Sequence, residues 1–154
     1  MGRSEPGAQQ LQQGAGSASE LVREMLLNGW LMTEQTKVVG KRILVVEDDP
    51  AARDSLNVLL KIDRHTVVGA ENGIKALALF TGDRFDLVVL DYFMPGMQGD
   101  EVARSIKLIA PRQPVVMVTA YLEKLVDANL PVDAILSKPF GVDELRQTIK
   151  KVLC

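Results

Sequence analysis

From residue 42 to the end of the chain, short apolar runs alternate with segments of helical periodicity. The runs at 43–46, 66–68, 86–91, 114–119 and 134–137 predict five strands. Apolar spacing predicts helices in between, including 99–109, a brief one at 122–128 and a last one at 142–152. Continuous apolar runs are typical of strands buried on both faces. The pattern therefore indicates an α/β fold, a parallel sheet covered on both sides by right-handed crossover helices.

The first 40 residues have a different character. Residues 1–16 are rich in Gly, Gln, Ala and Ser, which is typical of a flexible tail. Ser17 and Glu20 have capping-box spacing, and the apolar spacing after them predicts a short helix at 17–28. We therefore expect a flexible N-terminal extension, 1–40, and a folded domain, 41–154. Two interpretations of the extension stay open. It is an addition upstream of a start at Met32, or its helix packs on the domain or on a second copy, so a homodimer is one of the expected arrangements.

Composition narrows the functional classes. The 154 residues are 47% hydrophobic and 25% charged, with a formal net charge of −2, so no basic surface for nucleic acid is expected. The single Cys154 and single His65 exclude an intrachain disulfide and a Cys/His metal cluster. His65 lies in a polar stretch and is predicted to be a loop residue. We find neither a secretory signal nor an apolar run of about 20 residues that would span a membrane, so a cytoplasmic protein is expected.

Acidic, hydroxyl and basic residues stand at or just after the ends of four of the predicted strands. Glu47-Asp48-Asp49 ends the first, Asp91 the third and Thr119 the fourth, while Lys138 follows the fifth. In open parallel sheets, the functional site lies at the carboxyl ends of the strands. Crowded carboxylates repel each other unless a cation joins them, and oxygen ligands without imidazole or thiolate favour Mg²⁺ or Mn²⁺. A metal with a lysine and a hydroxyl would hold a phosphoryl group.

These residue types also predict individual roles. Asp91 ends the central strand and is the best candidate for a nucleophile that forms an acyl phosphate. Lys138 would pair with one phosphoryl oxygen, and Thr119 would donate a hydrogen bond to another. Asp49 stands before Pro50, a combination typical of a helix N-cap, and we assign it no chemical role.

Five motifs in order resemble those of the receiver domain of bacterial response regulators, over about residues 41–153. Asp91 to Gly99 resembles the phosphoacceptor motif of that family, Asp-x-x-Met-Pro-x-x-x-Gly. The other matching segments are Ile43 to Pro50, Ala70 to Gly73, Val118 to Ala120 and Ser137 to Phe140. The resemblance implies a phosphoacceptor domain of a two-component signal transduction system, with a flavodoxin-like doubly wound sheet of strand order 2-1-3-4-5 and helices on both faces.

The resemblance also implies a ligand set. Asp48, Asp91 and the backbone carbonyl of Phe93 would bind Mg²⁺ directly, Glu47 would act mostly through water, and Mn²⁺ could substitute. Ala120 is small, as access for a phosphodonor requires. The Lys138–Pro139 bond is expected to be cis.

The implied phosphodonor is a phosphohistidine on a sensor histidine kinase or a histidine phosphotransfer protein. In that case the domain is not an enzyme, and it assists only its own phosphotransfer and autodephosphorylation. Neither a membrane nor direct nucleic-acid binding is implied for this chain.

Two features depart from the family pattern. Ile135 stands where the family usually has an aromatic residue that couples to the threonine, and isoleucine has no ring to move. Thr119 and Lys138 are also closer in sequence than is usual, and Pro131 interrupts the segment between them. We therefore predict a short or poorly ordered fourth helix and a mode of partner binding that differs from the common pattern.

Two other functional classes stay open from the sequence. A phosphatase of the haloacid dehalogenase type would also use an Asp nucleophile, but it needs a second Asp two residues later, where this chain has Phe93. An interaction module that works without phosphorylation would not need Asp91, Thr119 and Lys138 together.

Overall fold

The computed structural model describes residues 18–20, 23, 38–125 and 128–154. The chain divides into two units, Met1–Lys37 and Val38–Cys154. In the first unit, residues 18–20 and 23 are helical and fall within the predicted helix at 17–28. The rest of that prediction lies outside the described residues. All elements below belong to the second unit.

Five strands alternate with five helices in the described part of this unit. The strands are β1 (Arg42–Val46), β2 (Thr66–Ala70), β3 (Leu87–Asp91), β4 (Val115–Thr119) and β5 (Ala134–Ser137). The helices are α1 (Pro50–Ile62), α2 (Gly73–Gly82), α3 (Gly99–Ile109), α4 (Leu122–Leu125) and α5 (Val142–Leu153). Each predicted element is present, with ends shifted by a few residues at most.

The sheet has the order β2-β1-β3-β4-β5, and every neighbouring pair is parallel. This confirms the doubly wound fold with strand order 2-1-3-4-5. The order reverses next to β1, because the chain goes outward to β2 and then returns to β3. The ends of β1 and β3 therefore form the switch point at which such sheets bind ligands.

Apolar residues on the two faces of the sheet form separate cores. Leu44 and Leu90 pack with helices α2 and α3 on one face, whereas Ile43 and Val89 pack with α1 and α5 on the other. Consecutive residues of a strand point to opposite faces, so a strand between two helical layers must be apolar throughout. The continuous runs in the sequence follow from this arrangement.

Side-chain caps fix where the first two helices begin. The carboxylate of Asp49 accepts a hydrogen bond from the Ala51 backbone N–H at 3.2 Å, with proline in the first turn. Asn72 accepts from the Lys75 N–H at 2.8 Å at the start of α2. Asp49 therefore has the capping role predicted for it.

The fourth helix is one turn long in the residues that the structure describes. It covers Leu122–Leu125, and Ala128 is no longer helical. Leu125 is buried, and Leu130 and Val132 pack partly against the same core. The prediction of a short fourth helix is confirmed over these residues, and the predicted extension to 128 is wrong. None of the described helices is long and apolar enough to cross a membrane.

Candidate functional site

Three carboxylates meet at the carboxyl ends of β1 and β3. Asp91 is the last residue of β3, and Glu47 and Asp48 follow β1 directly. One oxygen of each carboxylate lies within 4.8 Å of the other two. Val46 pairs with Leu90 in the parallel register, so the residues after them share one edge of the sheet. The fold itself thus brings these like charges together.

Lys138 reaches this cluster from the end of β5. Its backbone N–H donates to the Thr119 carbonyl at 2.8 Å, which anchors the start of the loop to β4. Its Nζ lies 2.8 Å from Glu47 Oε1 and 3.4 Å from Asp91 Oδ1. A single ammonium cannot neutralise three carboxylates, so the cluster keeps a negative charge that favours a bound cation.

Burial and charge shift the pKa values of this group in a consistent way. Burial raises the pKa of the Asp91 and Glu47 carboxyl groups above their ordinary values, although Lys138 opposes the rise. Burial alone would lower the pKa of Lys138, but the hydrogen bond to Glu47 and the charge of Asp91 outweigh it and raise that pKa. Lys138 therefore stays an ammonium, and the carboxylates carry an electrostatic cost that a cation would relieve.

Thr119 and Ala120 lie on the neighbouring strand end. Asp91 pairs with Val118 in the register, so Thr119 stands one residue further along β4. Thr119 is fully buried, and its Oγ1 accepts a hydrogen bond from the Tyr121 backbone N–H at 3.0 Å. Ala120 is exposed beside it. The hydroxyl is thus held by the chain directly after it.

The loop after Asp91 turns tightly because two positions are glycine. Gly96 has φ +79°, in the left-handed region that glycine adopts without strain. At Gly99, an added Cβ would lie 2.3 Å from the Asp91 carbonyl oxygen. The Gly99 N–H also donates to the Tyr92 carbonyl at 2.8 Å. The glycine that ends the motif therefore lets α3 begin against the backbone of the phosphoacceptor candidate.

A row of aromatic rings borders the site. The rings of Tyr92 and Phe93 are in edge contact at 4.7 Å, and those of Phe93 and Tyr121 at 5.2 Å. The Lys124 ammonium lies 5.0 Å from the centroid of the Tyr121 ring. Phe93 and Tyr121 are 40% and 46% exposed, so this row is accessible to a partner. It joins the loop after β3 to the loop after β4.

A cavity of about 450 Å³ opens beside the carboxylates, between α1 and the loop that follows β5. The Lys138–Pro139 bond in that loop is cis, as the family resemblance predicts. The lining is mainly apolar, with Glu47 and Lys138 at the site itself. The other lining residues are Ala52, Ser55, Leu56, Leu59, Ala120, Pro139 and Phe140.

The structure brings the predicted site residues together. Glu47, Asp48, Asp91 and Lys138 are in one cluster, and Thr119 and Ala120 lie on the adjacent strand end. Phe93 lies two residues beyond Asp91, in the same loop. Ile135 is partly buried and pairs with Met117 in the register of β4 and β5.

Two contacts at the site were not anticipated from the sequence. Glu47 is 2% exposed, and its carboxylate is bonded to Lys138. Arg53 of α1 donates from Nη1 to the Glu47 backbone carbonyl at 2.7 Å. The sequence gives only a weak indication of the Arg53 contact. An arginine on the first turn of a helix after an acidic strand end is usually solvated, so its position alone does not predict a bond to the strand end.

Comparison with known families agrees with this geometry. The family model of the response regulator receiver domain matches residues 43–150. The chain belongs to this family. It is therefore a receiver domain, the phosphoacceptor module of two-component signal transduction. Family membership favours neither the phosphatase nor the phosphorylation-independent module considered from the sequence.

Individual relatives are similar over the same region. Sporulation initiation phosphotransferase F of Bacillus subtilis is 34% identical over 119 residues, which are 75% of this chain and 96% of the relative. Response regulator MprA of Mycobacterium ulcerans is 36% identical over 115 residues. Those residues are 73% of this chain, which spans only 50% of the MprA length.

Solved structures show the same fold. The response regulator TrrA of Thermotoga maritima, in complex with Mg²⁺ and BeF, has a TM-score of 0.70 and 38% identity, and the match covers 73% of this chain and 99% of that one. Chemotaxis protein CheY4 of Vibrio cholerae has a TM-score of 0.67 and 26% identity, with coverage of 75% and 100%.

Proposed function

We propose that Asp91 is the residue of this receiver domain, 41–154, that accepts the phosphoryl group. The observation that supports this most directly is the cluster of Glu47, Asp48 and Asp91 within 4.8 Å, with Lys138 touching two of the three. Asp91 ends the central strand, lies between the other two acids and Thr119, and is partly accessible. Glu47, in contrast, is buried and already bonded to Lys138.

The transfer forms one bond and breaks another. A carboxylate oxygen of Asp91 attacks the phosphorus of a phosphohistidine, a P–O bond forms and the P–N bond breaks. The electron pair of the broken bond leaves with the imidazole of the donor. Lys138 lies close enough to Asp91 to hold a phosphoryl oxygen, and Thr119 supplies a hydroxyl on the next strand. Ala120 leaves the approach open because its side chain is small.

The donor set fits Mg²⁺, and Mn²⁺ could replace it. Three carboxylates of close spacing, without imidazole or thiolate in the cluster, are ligands for a hard divalent cation. Asp48, Asp91 and the Phe93 carbonyl would hold the ion, with Glu47 acting mostly through water. When bound, Mg²⁺ offsets the charge that gathers on the phosphoryl oxygens during transfer. The Mg²⁺ and BeF in the Thermotoga relative support this choice.

The cavity between α1 and the loop after β5 is the proposed docking place for a sensor histidine kinase or a phosphotransfer protein. It begins at Glu47 and Lys138 and continues over apolar side chains of α1, so a donor seated there would present its histidine to Asp91. Ser55 is exposed on this wall and offers a place for a disruptive substitution.

The signal leaves the site by a route that does not use Ile135. The Thr119 Oγ1 accepts from the Tyr121 N–H and keeps its own proton to donate to a phosphoryl oxygen, so a movement of this hydroxyl towards the phosphoryl group would also act on the Tyr121 backbone. The ring of Tyr121 contacts that of Phe93, so a movement of Tyr121 would change the arrangement of the exposed aromatic row. The Tyr121 amide resonance should shift on phosphorylation, and an unchanged resonance would contradict this route.

Mass spectrometry of the intact chain tests the assignment of Asp91. After incubation with acetyl phosphate and Mg²⁺, the wild type should carry one phosphoryl group that is labile as an acyl phosphate. Asp91→Asn should carry none, and chelation of Mg²⁺ should prevent labelling of the wild type. Asp54→Asn, an exposed acid on α1, is the matched control and should be labelled normally. Labelling of Asp91→Asn at the wild-type level would refute the proposal.

A second part of the same experiment addresses the donor. Ser55→Arg should slow labelling by an autophosphorylated histidine kinase while labelling by acetyl phosphate stays unchanged. An equal effect on both donors would place the defect in the site and not in docking. The lifetime of the label measures the proposed autodephosphorylation, which the domain assists through the same residues.

A further inference from the structure

Hydrogen bonds hold the backbone on both sides of Glu47. The Glu47 N–H, in the peptide that comes from β1, donates to the Ala70 carbonyl of β2 at 3.0 Å. Its carbonyl accepts from Arg53 Nη1 at 2.7 Å. A peptide unit is planar, so fixing this carbonyl also fixes the plane from which Asp48 departs. The two acids after β1 therefore depend on α1 for their orientation.

The carbonyl of Glu47 needs such a partner because the chain leaves the sheet here. A backbone acceptor removed from water needs a hydrogen-bond donor, and Glu47 is 2% exposed. Arg53 is partly buried on the first turn of α1 and reaches back to this carbonyl. An arginine N–H is charged, so the bond is among the stronger kinds.

The stem of Arg53 crosses β2 at a position without a side chain. A Cβ added at Gly69 would lie 3.2 Å from Arg53 Cδ and 3.7 Å from its Cγ. Gly69 stands opposite Val45 in the register, inside the strand. Glycine weakens a strand interior, and it often marks the close approach of another group. Here the group that approaches is the side chain that reaches the acidic turn.

We propose that Arg53, with Gly69 making room for it, is a positioning residue that sets the affinity of the Glu47–Asp48–Asp91 cluster for Mg²⁺. Arg53 is not a ligand. It orients the peptide that carries Asp48, in the way that residues behind metal ligands hold them in place. This inference rests on the proposed function, because it concerns the metal of the same site.

Titration of the 154-residue chain with Mg²⁺ by calorimetry tests the role of Arg53. Arg53→Ala should raise the dissociation constant roughly tenfold. Arg53→Lys should give a smaller rise, because lysine keeps the charge but lacks the planar group of N–H donors. Lys61→Ala removes a cation from the last turn of the same helix and should leave Mg²⁺ affinity unchanged. Arg53→Ala binding Mg²⁺ as tightly as the wild type would overturn the inference.

Gly69 provides a second way to move the same side chain. Gly69→Ala should also weaken Mg²⁺ binding, by less than Arg53→Ala, because the flexible stem can shift by a few tenths of an ångström. In the Arg53→Ala background, Gly69→Ala should cause no further loss. Gly82→Ala is the matched control, since an added Cβ there meets nothing within 4 Å. Equal weakening by Gly69→Ala in both backgrounds would show that its effect does not pass through Arg53.

Unfolding in urea with a chelator separates positioning from stability. A purely structural role would lower the free energy of unfolding of Arg53→Ala and leave Mg²⁺ affinity unchanged well below the midpoint, which would overturn the inference. Loss of Mg²⁺ affinity in folded Arg53→Ala supports it. Absence of Mg²⁺ binding by the wild type would refute the proposed metal site and this inference with it, whereas normal binding by Arg53→Ala would refute the inference alone.

Discussion

At the carboxyl ends of the strands, Glu47, Asp48 and Asp91 crowd three carboxylates around one contacting ammonium, that of Lys138. At the amino ends of the strands, charged groups form pairs instead. Asp63 at the end of α1 is bonded to Arg146 by two hydrogen bonds of 2.8 and 2.9 Å. The two rims belong to one sheet, but among the residues that the structure describes it is the carboxyl rim that keeps a net charge for a bound cation to neutralise.

The amino rim also uses polar side chains to satisfy the backbone. Three residues stand directly before strands, namely His65 before β2, Asp86 before β3 and Asp133 before β5. Each accepts a hydrogen bond from a backbone N–H at the start of the neighbouring strand, respectively Lys41 at 3.0 Å, Arg42 at 2.8 Å and Val115 at 2.8 Å. A backbone donor that would lack a partner at the sheet end is thereby satisfied.

The difference separates two uses of polar residues. A side chain that has its bonding partners within the protein stabilises the fold, and replacing it should lower the free energy of unfolding. A cluster whose charges lack enough partners costs stability and is kept for what it binds. The following substitutions test this distinction, from the largest expected effect to the smallest.

Asp63→Ala should lower the free energy of unfolding by about 3 kcal/mol, because it leaves the Arg146 guanidinium without its bidentate partner. This value is at the low end of the cost expected for breaking a buried ion pair, because the Arg146 side chain is 21% exposed. Urea unfolding in the absence of Mg²⁺ measures the change. Labelling of Asp91 by acetyl phosphate should persist in the folded variant.

An exposed ion pair provides the control for this substitution. Glu71 and Lys75 lie 3.9 Å apart on the surface, with side chains 59% and 52% exposed. Glu71→Ala should cost less than about 0.5 kcal/mol, because solvent screens such pairs. If Asp63→Ala cost no more than Glu71→Ala, the amino rim would not contribute the stability assigned to it here.

Most of the carboxyl rim could be predicted from sequence, because its residues follow apolar strands. The register of a parallel sheet brings strand ends to one edge, so the position of Asp91 after Leu87–Leu90 suffices to place it near Glu47. The short α4 could be predicted as well, from Pro131 and from the reduced distance between Thr119 and Lys138 in the sequence.

The amino rim was not predictable in the same way. His65 is a loop residue as predicted, but its burial to 4% exposure was not foreseen in a stretch that reads as polar. Its bond to Lys41 joins residues 24 positions apart. Arg146 at this rim, and Arg53 at the carboxyl rim, likewise reach their partners through long side chains. Apolar periodicity records which face of an element is buried, and it contains no information on where such side chains end.

Asp91→Asn should make the metal-free protein more stable, by about 1 kcal/mol. Burial raises the pKa of Asp91, which means that the folded state disfavours its ionised form at neutral pH. Asparagine is neutral and removes both this cost and the repulsion by Glu47 and Asp48. Urea unfolding at neutral pH with a chelator measures the change.

Mg²⁺ should make the wild type more stable than Asp91→Asn, the reverse of the order expected without metal. At a hundredfold excess over the dissociation constant, a bound ion stabilises the wild type by about 2.7 kcal/mol, and Asp91→Asn should gain less because it has lost a ligand. A variant that is less stable than the wild type in the chelator would mean that the carboxyl rim, too, is arranged for stability.

His65 provides the smallest test. It is one of the three amino-rim residues that accept from a backbone N–H, and histidine is the residue whose ordinary pKa lies near neutral pH. Burial lowers its pKa below the ordinary value of 6.5, and Lys41 adds to this effect, while Asp63 and Asp86 oppose it. The unfolded chain therefore binds a proton at His65 before the folded chain does. By proton linkage, the contribution of neutral His65 to the free energy of unfolding is complete above pH 6.5 and is lost as the pH falls.

In His65→Asn, the Oδ1 atom can accept from the Lys41 N–H in place of Nδ1, and the side chain does not titrate. The variant should be less stable than the wild type at pH 7, because asparagine fills less of the buried space. The difference should narrow when urea unfolding is repeated at pH 6 and pH 5. The raised pKa values of Glu47 and Asp91 act in the opposite direction, but both proteins share them, so they cancel in the difference. Parallel curves over this range would show that His65 does not titrate differently in the folded and unfolded chains, and that the amino rim is insensitive to pH at this position.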